Sequence, residues 1–212
     1  MPGSTIVPRP ALILLVVCGA CRASSPAVPP LIQPGAPGAP SRAITPEKAI
    51  DLPAVRPTAD DVRFVQGMVG HHAQALEMTA LVSARSQHDD VKLIAQRIAL
   101  SQADEIKMMQ EWLASRGEQV PDAHAHHAAV MPGMLTAEEM SRLSAATGAD
   151  FDRLFVELMI KHHGGALTMV EELFAHPGAG QDPELFAFAS DVEADQRGEI
   201  ARLAALLKEL SK

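Results

Sequence analysis

Tyrosine is absent from the 212 residues, and aromatic residues make up only 3% of a chain whose hydrophobic content is 47%. A core limited to Leu, Ala, Val, Ile and Met suits packed helices, whereas β architectures draw on aromatic side chains. Cysteine is lacking after Cys21, the second of only two. A body without thiols fits an oxidising compartment, where a free thiolate is at risk. No Asp or Glu occurs before Glu47, although the net charge is −8. The acidity therefore belongs to the rest of the chain, which lacks the basic footprint of sequence-independent nucleic-acid binding. No run alternates with period two for long enough to predict a strand.

What is present begins with a short apolar run at residues 11–17, preceded by Arg9. A bilayer span takes about 20 apolar residues, so this run has the length of a signal-peptide core instead. It ends in Cys18-Gly19-Ala20-Cys21, which resembles a bacterial lipoprotein signal except that Cys18 stands where Leu or a similar residue is usual. The expectation is a signal peptide over 1–21, export to the periplasm or the outer face of a bacterial membrane, and anchoring through a lipid at Cys21. Residues 22–57 are rich in Pro, Ala, Gly and Ser, which predicts a disordered, extended tether. The folded domain is then 58–212.

Within that domain the apolar residues recur with helical period. Thr58 with Asp61 predicts a capped helix start, and the helix is expected to reach about Gln87. A second helix is expected from about Asp90 to Arg116, with Gly117 as its stop. Thr136 with Glu139 opens a short helix. A long one starts near Gly148 and ends at His176-Pro177-Gly178, and Asp182-Pro183 opens the last.

The segments come in two copies. Residues 64–78 and 155–169 are identical at eight of fifteen positions, and the partner helices match at an offset of 94, where Gln102 and Glu105 correspond to Gln196 and Glu199. Two duplicated helical hairpins predict an all-α, ferritin-like four-helix bundle.

Each copy carries the same donors. Met68, His71, Ala75 and Met78 fall on one helical stripe, with His72 one position round, and Met159, His162, His163, Ala166 and Met169 repeat the pattern. Each hairpin is expected to turn two imidazoles and two thioethers toward the interior. Thioether and imidazole are soft, uncharged ligands that suit Cu(I) and Ag(I), with Cu(II) as a second copper state. A di-iron site in such a bundle takes Glu-x-x-His motifs, and the chain has none. A third cluster lies between the hairpins: His124, His126, His127, Met131 and Met134, with Pro132 and Gly133 expected to fold the two methionines toward each other. Met108 and Met109 add thioethers on the second helix.

These motifs resemble the bacterial "domain of unknown function 305" family, whose hallmark is a duplicated Met-x-x-His-His-x-x-Ala-x-x-Met helix. The resemblance spans residues 58 to 210 and extends to the segments Met131–Leu135, Gln102–Ile106 and Gln196–Ile200. The chain departs from it in Gly70 and Lys161, where many members carry proline before the histidine pair. The resemblance implies a ferritin-like bundle, export, and periplasmic copper or silver binding in metal tolerance, with a periplasmic copper-handling protein as a partner.

Other readings stand beside this one. The histidines could be structural, hydrogen-bonded to Glu105 or Glu199 on the partner helix. The domain would then be a metal-free interaction module on a tether. A four-helix haem protein with His/Met ligation is a third reading, although the chain lacks a C-x-x-C-H attachment motif. No catalytic constellation is recognisable.

Overall fold

The computed structural model describes residues 31–33, 40–46, 48, 56–122 and 131–212. The signal segment, Cys18, Cys21, His124, His126 and His127 lie outside the described residues. The chain divides into two units, Met1–Pro53 and Ala54–Lys212. In the first, β1 (Leu31–Gln33) pairs antiparallel with β2 (Arg42–Ile44), Ile32 opposite Ala43. This ribbon lies in the segment expected to be a tether without strands. Three-residue strands are too short for a period of two to register in a sequence.

The second unit holds six helices among the described residues. Helix α1 (Ala59–Ala80) starts at a capping box in which Thr58 Oγ1 accepts from the Asp61 N–H at 3.1 Å and Asp61 Oδ2 accepts from the Thr58 N–H at 2.7 Å. Such a cap stabilises a helix by about 1 kcal/mol. Asp61 is buried, and its Oδ1 also accepts from the Gly180 N–H, which ties this end to the last inter-helix turn. Helix α1 stops earlier than the expected Gln87, and a four-residue α2 (Val82–Arg85) follows. Helix α3 (Asp89–Ser115) ends before Gly117, whose φ of 72° favours a residue without a Cβ.

The connection carries α4 (Ala137–Ala145), opened by a second capping box of Thr136 and Glu139. Helices α5 (Gly148–Ala175) and α6 (Pro183–Leu210) complete the unit. Asp182 caps α6 and also accepts from Trp112 Nε1 at 3.2 Å and Arg116 Nη2 at 2.7 Å, joining α6 to the end of α3.

Helix α1 packs along α3 and α5 along α6, while α1 crosses α5 at the centre and α3 barely touches α6. The two hairpins of the duplication thus meet through their histidine-bearing helices. The core falls into two apolar clusters: one holds Met68, Met109, Trp112 and Met169, the other Met78, Phe151, Phe155 and Met159. Gly70 and Lys161 interrupt neither helix. Among the described residues, no helix is long and apolar enough to cross a membrane.

Candidate metal centre

The four histidines of the duplicated motif are completely buried. They lie at mid-length of α1 and α5, so the crossing of these helices brings His71 and His162 together with ring centroids 3.9 Å apart and planes tilted by 36°. Within each pair the centroids are 6.3 Å (His71, His72) and 6.2 Å (His162, His163) apart. The second histidine of each pair turns to its hairpin partner: His72 Nε2–H donates to Glu105 Oε2 at 2.5 Å, and His163 Nε2–H to Glu199 Oε2 at 2.6 Å. The carboxylates match in the two copies, as their positions in the duplication do.

These contacts fix the ring chemistry. An oxygen acceptor at Nε2 requires a proton there, so in a neutral ring Nδ1 is the lone pair. His71 does the same through a different acceptor, donating from Nε2 to the Pro132 carbonyl at 3.1 Å. The Nδ1 atoms of His71, His72, His162 and His163 are all buried without a hydrogen-bond partner, and so is His162 Nε2. An unsatisfied buried polar atom costs about 1–3 kcal/mol. Five such atoms lie together at mid-length of α1 and α5.

The electrostatics keep the two facing rings neutral. Burial pushes the His71 imidazole down to about 3, with neighbouring His72 lowering it further and the Pro132 hydrogen bond opposing. Burial also holds His162 well below the usual value, assisted by His71, His163 and His72. The nearby His71 backbone offsets this slightly, without forming a hydrogen bond. Burial raises the Glu105 carboxyl, but the hydrogen bond and charge of His72 outweigh that and hold it below its ordinary value. Glu105 reaches a cleft of about 220 Å³ that Met108, Asp191 and Asp195 also line. The Asp195 carboxyl is raised by burial and by the charges of Glu105, Glu199 and Asp191. An acidic mouth therefore adjoins the carboxylate that holds His72.

The thioethers are distributed differently from the expectation of four donors per hairpin. Met68 of α1 shares a cluster with Met169 of α5, and Met78 shares the other with Met159. The reason is the crossing of the two helices, which groups donors across the hairpins. Met131 packs against the first cluster, and Met134 is buried behind the turn that its N–H closes with the Met131 carbonyl at 3.2 Å. Met109 is core, whereas Met108 is half exposed. Among the described residues, no three His, Cys, Asp or Glu side chains converge as for a metal ion. The donors available are imidazole lone pairs and thioethers, a set suited to low coordination numbers and soft ions.

The sequence reading missed the residues that hold the connection over the site. Gln74 clamps Leu135 by two hydrogen bonds, donating Nε2–H to its carbonyl at 3.0 Å and accepting its N–H at 2.7 Å. Gly165, the counterpart of Gln74 in the second copy, lies so close to the connection that a Cβ would stand 1.9 Å from the Pro132 oxygen. The available signal was a polar residue in one copy and a glycine in the other at the same position of the repeat.

Residues 61–207 match the family described as Domain of unknown function (DUF305). No curated protein matches the chain. The DUF305 fragment from Deinococcus radiodurans is similar in structure at 31% identity, with a TM-score of 0.63 over 74% of this chain and 99% of the fragment. A DUF305 protein from Streptomyces coelicolor matches at 29% identity and a TM-score of 0.62, over 73% of this chain and 96% of its own. CopM in its Cu(I)-bound form matches at 27% identity and a TM-score of 0.56, over 70% of this chain and 96% of CopM. CopM also has a Ag-bound form that matches at 25% identity and a TM-score of 0.56, over the same shares of the two chains. The chain belongs to the DUF305 family.

Proposed function

We propose that this chain is an exported protein that sequesters, buffers or transfers soft monovalent metal ions, Cu(I) and Ag(I), on the buried histidines His71, His72, His162 and His163. The observation that carries this reading is the set of four buried Nδ1 atoms without a hydrogen-bond partner. Three of the rings donate their other nitrogen to a carboxylate or a carbonyl, the arrangement by which metal-bearing imidazoles are oriented and made more basic. The carboxylate contacts that would make these histidines structural thus leave the donor atom free. Rings 3.9 Å apart leave no room for a porphyrin between His71 and His162. The similarity to CopM, solved with Cu(I) and with Ag bound, supports the same choice of ions.

The donors are uncharged and include no thiolate, so the ion is held exchangeably. Met68, Met78 and Met159 supply thioether to the two ends of the histidine layer. The connection residues His124, His126, His127, Met131 and Met134 are further candidate donors of the same chemistry. Export follows from the apolar run at 11–17, attachment from a lipid at Cys21, and reach from the Pro/Ala/Gly-rich segment before residue 58. A copper-handling protein outside the cytoplasmic membrane is the partner for transfer.

Titration of Cu(I) into the chain against a colorimetric Cu(I) chelator tests the reading. The wild type is expected to withdraw Cu(I), and a variant with all four histidines changed to Asn is expected to lose the bundle's share. A variant that keeps full stoichiometry removes these histidines from the site. A wild type indifferent to Cu(I) and Ag(I) overturns the reading and leaves an interaction module.

A further inference from the structure

A second cleft, of about 210 Å³, opens at one end of the histidine layer, between the first half of α1, the C-terminal half of α5 and the turn at Met131 and Pro132. Gly67 lies on its floor, inside a helix, where it costs about 1 kcal/mol relative to Ala. A Cβ at Gly67 would stand 2.9 Å from Met131 Sδ and 3.4 Å from the Met169 methyl. Two thioethers from distant parts of the chain therefore end over the same bare α-carbon. His176, the exposed residue that ends α5, lines the same cleft, as does Glu172. Asp60 and Arg63 at the rim are paired with each other, so Glu172 leaves one negative charge unbalanced.

The other copy of the motif has no such opening in its helix. Leu158 stands where Gly67 does, and Met159 and Met78 are fully buried among apolar residues. The duplication thus left Met78 and Met159 as core, whereas Met169 borders an open cleft.

We propose that Met131, Met169 and His176 form a second soft-cation site at the surface, separate from the buried imidazoles and reached directly from solvent. Two thioethers and one imidazole supply three uncharged donors, a set that selects Cu(I) or Ag(I) over hard divalent ions. Glu172 supplies the balancing charge. The proposal rests on the reading of the chain as a soft-ion binder and adds His176 to its donors.

Silver nitrate titrated into the full chain, carrying ¹³C-methyl methionine and ¹⁵N histidine, tests it by NMR. Met131→Leu and Met169→Leu assign the two methyl signals without removing volume from the cleft. Both methyls and the His176 ring are expected to shift on binding, and to do so equally in a His71→Asn/His162→Asn variant. If the buried histidine signals respond while these three stay still, the cleft proposal is overturned and the buried site stands. If the cleft signals respond and the buried histidines do not, the cleft site stands and the buried site falls. Silence from both sets overturns both. A triple Met131→Leu/Met169→Leu/His176→Ala variant is expected to bind one Ag(I) fewer than the wild type, and unchanged stoichiometry contradicts the proposal.

Discussion

The two copies of the histidine helix differ most where the connection between the hairpins crosses them. In the first copy His71 donates to the Pro132 carbonyl, and Gln74 holds Leu135 by two hydrogen bonds. In the second copy His162 has no partner at either nitrogen, and Gly165 lets the Pro132–Gly133 backbone lie directly on the helix. One connection thus meets two related surfaces differently beside the histidines, by side-chain hydrogen bonds on one and by missing side-chain volume on the other, where Lys161 and Glu139 add an ion pair farther out. The inner pairs His72–Glu105 and His163–Glu199 remain alike. Duplication preserves what faces the shared interior, whereas a single connection cannot be symmetric about it. Of the two facing rings, one is constrained by the connection and the other has no partner at either nitrogen.

Acidification is the strongest way to probe this difference. In the unfolded chain both facing histidines take up a proton near their ordinary value of about 6.5, whereas in the fold His71 resists until about 3 and His162 stays well below its ordinary value. The unfolded state then binds more protons, so this stability is fully present above about 6.5 and is lost as the pH falls from there toward 3. The slope approaches about 1.4 kcal/mol per pH unit for each histidine. Urea midpoints of the metal-free chain across that range measure it. A His162→Asn variant is expected to flatten the curve, and an unchanged slope removes His162 from the account.

Gly165→Ala comes next. In an ordinary helix this change is favourable by about 1 kcal/mol, but here the new methyl meets the Pro132 carbonyl. A net loss of about 3 kcal/mol is expected from overpacking against backbone, read as a lower urea midpoint. Gln74→Ala strips the Leu135 N–H and C=O of their partners on the opposite side of the same connection. Its expected cost is about 2 kcal/mol. If Gly165→Ala proves stabilising, the close approach that distinguishes the second copy is not maintained in solution.

The smallest effect is expected from Gly67→Ala. The methyl gains helix propensity and meets only the flexible ends of Met131 and Met169, so the net change in stability is within about 1 kcal/mol. The Met131 methyl NMR signal is nevertheless expected to move, because its sulfur must leave the α-carbon it covers. An unmoved signal means that the cleft floor is not where these thioethers rest.

Much of the fold was legible in the sequence. Thr58 with Asp61, Thr136 with Glu139, and Asp182 with Pro183 marked helix starts, because a cap is a local interaction spanning three or four residues. The end of α1 was less legible. Leu81 keeps helical angles while the chain turns there, and no Gly or Pro announces it. Of the candidate site, the burial of His71, His72, His162 and His163 followed from helical spacing, and the carboxylates Glu105 and Glu199 were visible as matched positions of the repeat. The grouping of Met68 with Met169 and of Met78 with Met159 was not, because spacing assigns residues to a stripe but not to the stripe that faces it.

The sequence by itself determined the helices, the duplication and the kinds of donor atoms, since each depends on residues close together in the chain or on internal identity. Only the tertiary structure decided which imidazole nitrogens go without a partner, that His71 faces His162 at 3.9 Å, and that Met169 borders an open cleft while Met78 and Met159 are sealed. Those outcomes depend on how two helices separated by about ninety residues cross, and on where the connection between them comes to rest. Hydrogen bonding and burial act through distance in space, which separation along the chain does not encode.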